Sequence, residues 1–285
     1  MRYMHSATLA VIKNAALKRF LDSLSDKRFE FFANRYLKLT GSNMRFKMLD
    51  DKTIETEFHT KSGSTRIWLS ERSRVMNYRN GLDKNLNYLA GVYHLDDVKI
   101  TEGDTVIDCG ANIGEIGVYL STYTFQVNYI AFEPSTAEFN CCKKNNPNGR
   151  LNNLGLWKTA GRLDFYLKTD TADSSLIEPN DYNEVVSIEA VDLDSFIRES
   201  EIENVKLLKL EAEGAEPEIL EGAQQSLHLI EYISIDAGPE RGTNAESTLP
   251  QVTNALLKNG FEMVAIDQSR LIALFKNNSF HESPR

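Results

Sequence analysis

Two acidic residues and a run of glycines between positions 104 and 133 are spaced to hold a ligand. Asp104 to Tyr119 reads Asp-Thr-Val-Ile-Asp-Cys-Gly-Ala-Asn-Ile-Gly-Glu-Ile-Gly-Val-Tyr, a short buried-type strand that ends in Asp108 and runs into a glycine-rich helix start. Gly110 and Gly114 let the backbone turn sharply and approach a ligand, which a Cβ would block. Gly117 follows where the new helix presses on a sheet. A dinucleotide-binding loop would place glycine at 112 so that a pyrophosphate could come close. Asn112 stands there instead. The spacing Asp108-x-Gly110-x-Asn112-x-Gly114 better suits a ligand with an amino-acid tail and a ribose, such as S-adenosylmethionine (SAM). A second apolar strand, Tyr129-Ile130-Ala131-Phe132-Glu133-Pro134, ends in a carboxylate about twenty residues after Gly110, where a ribose diol is usually held. The alternative for Glu133 is a surface residue capping a helix that begins near Ser135.

A third dense segment runs Val-Lys-Leu-Leu-Lys-Leu-Glu-Ala-Glu-Gly-Ala-Glu from Val205 to Glu216. A central parallel strand is expected to be apolar on both faces, and Lys209 breaks that rule next to the carboxyl end, the edge where open α/β sheets place ligands. If the chain stays extended, Lys209, Glu211 and Glu213 share one face. A lysine there can hold both carboxylates ionised, or two close carboxylates can raise one pKa toward that of a working base. Either arrangement suits removing a proton from a hydroxyl. The alternative is a solvated ion-pair cluster with Glu216 and Glu218. Asp236, after a fifth strand, could fringe the same pocket or simply end the strand.

The elements that must position these residues follow from apolar periodicity. Strands are expected at 105–108, 128–133, 151–156, 205–210, 230–235, 261–267 and 270–276, alternating with helices, which implies a mostly parallel sheet covered on both faces. The last two are separated only by Gln268 and Ser269, too few for a crossover, so they form an antiparallel hairpin. Such a core is that of a class I, Rossmann-like methyltransferase: seven strands, mostly parallel, with a C-terminal antiparallel hairpin.

Upstream, residues 7–24 carry apolar positions at helical spacing with Ser6 as a cap. Residues 26–39 read as a second helix, 53–70 as a β-hairpin around 61–64, and 85–95 as the helix leading into the sheet. The expected organisation is an extension over 1–95 that acts as a lid or pairs two chains as a homodimer, a SAM-binding domain over 96–276, and a flexible tail over 277–285.

The chain has 285 residues, 41% of them hydrophobic, and a net charge of −9. That balance argues against nucleic acid or an anionic membrane as partner, because both need a positive field. No run is long enough to span a bilayer, and Met1-Arg2-Tyr3-Met4-His5 lacks a signal-peptide h-region. A cytoplasmic protein is expected. Cys109, Cys141 and Cys142 form neither a disulfide framework nor a zinc spacing.

Val-Ile-Asp-Cys-Gly-Ala-Asn-Ile-Gly-Glu (106–115), Ala-Phe-Glu-Pro-Ser (131–135), Asn-Leu-Gly-Leu-Trp-Lys-Thr-Ala-Gly-Arg-Leu-Asp-Phe-Tyr (153–166), Val-Asp-Leu-Asp-Ser-Phe (191–196) and Leu-Lys-Leu-Glu-Ala-Glu-Gly-Ala-Glu (208–216) together resemble the FkbM-type methyltransferases over residues 78–275. The resemblance implies SAM-dependent methylation of hydroxyl oxygens on sugars, glycan precursors or polyketide-type small molecules. It places Asp108, Gly110, Asn112 and Gly114 at the methionine end of SAM, Glu133 at its ribose, Asn153 toward its adenine, and Lys209, Glu211 and Glu213 at the acceptor hydroxyl. The family usually has aspartate where this chain has Glu211. Asp194 reads as the N-cap of a helix starting at Ser195, Ser174 and Ser175 as part of a loop that could close over the site, and His94 and His228 as packing or surface residues. Mg2+ on Glu211, Glu213 and Asp236 is the minor branch. The competing functions are a non-catalytic SAM-binding or scaffold protein and an NAD-dependent oxidoreductase.

Overall fold

The structure is a computed structural model that describes residues 20–280 except Asp22, 50–51, 61–62 and 169–172. The helix expected over 7–24 lies almost entirely outside these residues, as do the last five positions. The chain divides into two compact units, one ending at Leu82 and one beginning at Asp83.

In the first unit, helix α1 (Asp26–Leu39) buries Phe29, Ala33 and Leu37, one residue per turn on a single face. Phe29 packs against Phe46 with ring centroids 5.5 Å apart. Phe46 belongs to β1 (Met44–Met48), which joins β2 (Ile54–Thr60) and β3 (Gly63–Leu69) in an antiparallel sheet of order β1-β2-β3. The expected hairpin is β2–β3, with Ile54 opposite Leu69 and Thr60 opposite Gly63. Strand β1 was not anticipated, although Met44 and Phe46 turn inward while Arg45 and Lys47 face out.

The second unit begins with α2 (Leu82–Val92) and is built on a seven-stranded sheet. Its strands are β4 (Thr105–Cys109), β5 (Asn128–Phe132), β6 (Arg150–Asn152), β10 (Val205–Leu210), β11 (Ile230–Asp236), β14 (Phe261–Asp267) and β15 (Ile272–Asn277), in the order β14-β15-β11-β10-β4-β5-β6. The five strands from β11 to β6 are parallel, and β15 runs antiparallel between β11 and β14. The central strands are apolar on both sides. Ile107, Leu208 and Ile233 enter one core cluster, Val106, Leu207 and Ala131 the other. Lys209 is the buried charge of β10, whereas Lys206 at its other end is half-buried and pairs with Glu231.

The strand expected over 151–156 is in fact two. Residues 150–152 complete the main sheet, whereas β7 (Gly155–Leu156) pairs with β9 (Glu184–Val191), which also pairs with β8 (Gly161–Leu167) in a separate small sheet. In β8 and β9 Phe165 and Ala190 are the buried residues, so neither strand shows the continuous apolar run of a core strand.

Candidate functional site

The carboxyl ends of β4, β5, β10 and β11 lie side by side. The turn after β4 is pinned there by backbone bonds, with the amides of Gly110 and Ala111 both donating to the Phe132 carbonyl at 3.0 Å. Gly110 has φ 68°, and a Cβ on it would lie 1.8 Å from the Glu211 carbonyl oxygen. The space it leaves is thus filled by the chain leaving β10. Gly114, at φ 82°, is equally confined by Asn146 and Cys142, and Gly117 by Asn146 and the Tyr129 ring. Asn112 is also left-handed, at φ 53°, a conformation asparagine tolerates better than most residues.

Glu133, just past β5, is buried. Its carboxylate accepts the Asn112 amide at 2.7 Å and the Ser135 amide at 2.8 Å. Burial, with Glu138 adding, pushes its pKa up to about 8. Asn153 is exposed and donates to the carbonyls of Glu133 and Pro134 at 2.8 and 2.9 Å, so it fixes the backbone that carries Glu133.

Lys209 is a hub. Its ammonium donates to the carbonyls of Cys109 (3.1 Å) and Gly110 (2.7 Å) and forms ion pairs with Asp108 (3.0 Å) and Glu211 (3.1 Å). Burial disfavours its charge, but Asp108 and then Glu211 outweigh that and hold its pKa above the ordinary lysine value. Asp108 is fully buried and takes a second bond from the Tyr129 hydroxyl at 2.7 Å. Burial would raise the Glu211 pKa, but Lys209, the Tyr93 hydroxyl and Arg270 at 3.5 Å overcome it and keep that carboxyl below its ordinary range. Asp236 accepts from Arg270 (2.9 Å) and from the Gly238 amide (3.1 Å). Its pKa is nevertheless raised, first by burial and then by Glu211.

The extended geometry expected beyond Lys209 does not occur. Strand β10 ends at Leu210, and Glu213 has φ 50°, so alternation carries Glu211 to Lys209 but not Glu213. Glu213 lies instead near Glu240, which follows β11. Burial and then Glu240 raise the Glu213 pKa, while burial and then Asp236 and Glu211 raise that of Glu240. Among the described residues neither carboxyl has a hydrogen-bond donor or a cation paired to it. The alternative cluster with Glu216 and Glu218 is not formed either. Glu216 accepts the amides of Ala212 and Gly214 and the Thr248 hydroxyl, and Glu218 grips Arg241.

Other expected residues fall into place around this edge. Ser175 is buried and donates to the Glu213 carbonyl at 2.8 Å, while Ser174 accepts the Lys168 amide. Asp194 is not the cap. Asp192 caps the helix Leu193–Glu199 through the Ser195 amide, because the helix starts earlier than expected, and Asp194 accepts the amides of Gln225 and Ser226. His94 bridges Asp97 and the Ile272 carbonyl.

Three residues of the site were missed, Tyr93, Glu240 and Arg270. The antiparallel register supplies a signal for the last. Asp236 pairs with Ile272, so the turn just before β15 must arrive at the carboxyl edge.

Five parallel strands closed by an antiparallel hairpin, with ligand-type residues at their carboxyl ends, define the class I methyltransferase fold. Residues 108–263 match the family described as Methyltransferase FkbM domain. A Sordaria araneosa protein, Methyltransferase sdnD, is 23% identical over 205 residues, covering 59% of this chain and 77% of that protein. Among solved structures, M. capricolum TrmK in complex with S-adenosylhomocysteine (SAH) aligns with a TM-score of 0.39 at 12% identity over 70% of each chain. Aeropyrum pernix fibrillarin with bound SAM aligns with a TM-score of 0.40 at 10% identity, over 82% of this chain and 93% of that one. The family match spans more than half of the chain, which belongs to the FkbM methyltransferases and is a SAM-dependent methyltransferase.

The residues present fit SAM. A carboxylate offers about four acceptor positions, and the two amides on Glu133 leave room for a ribose diol. They do not fit Mg2+. Glu211 already faces Lys209, Arg270 and Tyr93, Asp236 faces Arg270, and among the described residues no three His, Cys, Asp or Glu side chains are grouped to hold a metal. Among those residues, too, no helix is long and apolar enough to cross a membrane.

Proposed function

We propose that this chain transfers the methyl group of SAM to a hydroxyl oxygen of a sugar, a glycan precursor or a polyketide-type small molecule. The observation that carries this reading is the Glu213–Glu240 carboxyl pair beside the ionised Glu211 at the sheet's carboxyl edge. An alcohol is a weak nucleophile near neutral pH, so it needs a proton acceptor, an effect worth roughly a hundred-fold or more. Neighbouring carboxyls resist being ionised together, so beside ionised Glu240 and Glu211 the Glu213 carboxylate takes up a proton more readily than an isolated glutamate. In this reading Glu213 takes the hydroxyl proton, Glu240 tunes it, and Glu211 orients the hydroxyl as a hydrogen-bond acceptor.

Bound SAM supplies an electrophilic methyl on a sulfonium. Glu133 holds the ribose, the 108–114 turn the methionine end, and Asn153 steadies the adenine side. Lys209 is assigned to holding the turn and Glu211 in place rather than to proton transfer, since its ammonium is fully engaged. Crowded carboxylates repel a phosphate backbone, which favours a neutral polyol over nucleic acid as acceptor.

Three buried cysteines that form no disulfide accord with a reducing compartment, and we place the enzyme in the cytoplasm. The extension over residues 1–95 is assigned to acceptor choice or to pairing two chains. The test is to incubate the purified protein with SAM and an extract of the source cells and to search by mass spectrometry for new methyl ethers. Methylation confined to nitrogen or to RNA would overturn the reading.

A further inference from the structure

Four elements converge on one carboxylate. Tyr93, just after α2, is electrostatically linked to Glu211 through its hydroxyl; Lys209 of β10 meets Oε2 at 3.1 Å; Arg270, from the turn between β14 and β15, meets Oε1 at 3.5 Å. Asp236 at the end of β11 fixes the same Arg270 nitrogen at 2.9 Å. The Tyr93 ring lies under both cations, 5.2 Å from the Lys209 ammonium and 6.0 Å from the Arg270 guanidinium, a stacking that favours cation over ring. The other charged groups facing this point are Asp108, Glu213 and Glu240. Tyr93 is buried, and both Tyr93 and Arg270 lie outside the residues 108–263 matched to the family.

We propose that Tyr93 and Arg270 are positioning residues of the acceptor site, which with Lys209 hold Glu211 in one orientation so that its remaining lone pairs meet the incoming hydroxyl. The inference rests on the acceptor-facing role of Glu211 given above. A glutamate side chain has several rotatable bonds to restrain. Donors on both oxygens supply that restraint. Neutralising a buried charge alone would need only Lys209, whereas three partners from three elements also fix direction. A small misplacement at a reacting centre is costly, which gives such fixing its value.

The test uses the full-length protein labelled with 13C at glutamate carboxyl carbons, the Glu211 signal being assigned with E211Q. Wild-type Glu211 should titrate below an ordinary glutamate. Arg270→Met should raise its midpoint by about one unit or more, the usual size for losing an adjacent cation. Arg270→Lys should stay near wild type, and Tyr93→Phe should rise by less than Arg270→Met. SAH affinity should stay near wild type in all three. With SAM and the hydroxyl acceptor found by the methyl-ether search, kcat should fall about ten-fold in Arg270→Met and Tyr93→Phe, an outcome of misorientation, and recover in Arg270→Lys. An unmoved Glu211 midpoint in both Arg270→Met and Tyr93→Phe overturns the proposal, as does a moved midpoint with undiminished kcat. The titration needs no acceptor, so a failed search for methyl ethers would count against the hydroxyl acceptor without touching the clamp.

Discussion

Asp108 and Glu213 both lie at the carboxyl edge of the same sheet, yet their surroundings are opposite. Asp108 is wholly buried and met by the Lys209 ammonium and the Tyr129 hydroxyl. Glu213 is partly buried, lies near the like-charged Glu240, and among the described residues has no hydrogen-bond donor or cation on its carboxyl. A buried ion pair is strongly destabilising to break, because the survivor is left charged and unpaired. An unmatched pair of carboxyls instead keeps an exchangeable proton. Acidic residues at a ligand edge therefore divide by their partners rather than by their charge, the first kind building the site and the second able to work in it.

The largest effect that could break this contrast is on stability. Lys209→Met should cost about 3–5 kcal/mol in urea unfolding, the usual loss when one member of a buried pair is removed. Adding Asp108→Asn should return much of it. A loss below about 1 kcal/mol, the size expected of a surface pair, would show that the Asp108 side is no better built than the Glu213 side.

Next in size is turnover. Glu213→Gln should lower kcat by about a hundred-fold or more with SAH affinity unchanged, and Glu240→Gln should lower it less, by removing the like charge that keeps Glu213 basic. Equal, near-normal rates in both variants would return this pair to the bland class.

Glu133→Ala should weaken SAH binding by about 1–3 kcal/mol in calorimetry, the range for removing one partner of a buried hydrogen-bonded group. Unchanged affinity would take Glu133 out of the site.

The smallest effect is a pH dependence. In the proposed ribose site the hydroxyls would donate to the ionised Glu133 carboxylate, whose pKa burial raises from 4.5 to about 8. SAH binding should therefore release a proton and strengthen with pH up to about 8, by at most about ten-fold per unit, and then level off. In Glu133→Gln the profile should be flat. The same shift has the opposite sign for folding. A carboxyl whose folded pKa is raised contributes stability below 4.5 that is lost as pH rises through about 8.

Much of the second unit was legible because its signals are local. Buried parallel strands are continuous apolar runs, and the link between the last two strands, residues 268–271, is too short for a crossover and leaves only an antiparallel hairpin. The glycine positions were legible too, but their close contacts are with Glu211, Asn146, Cys142 and Tyr129. The small sheet of β7, β8 and β9 escaped notice because β7 is two residues long and polar residues interrupt the apolar positions of β8 and β9. Strand β1 escaped because five residues of alternation are a weak signal alone.

By itself, then, the sequence determined the order of the elements, the family, and which acidic residues end β4, β5 and β10, since these depend on side-chain period and on the backbone freedom of glycine. Only the tertiary structure decided what each carboxylate does. Whether Glu213 continues an extended face depends on a single left-handed φ. Whether Glu211 is held ionised depends on Lys209 close by, but also on Tyr93 and Arg270, 118 and 59 residues away along the chain. Electrostatic energy follows distance through space and the loss of solvent, and neither can be read from spacing along a chain.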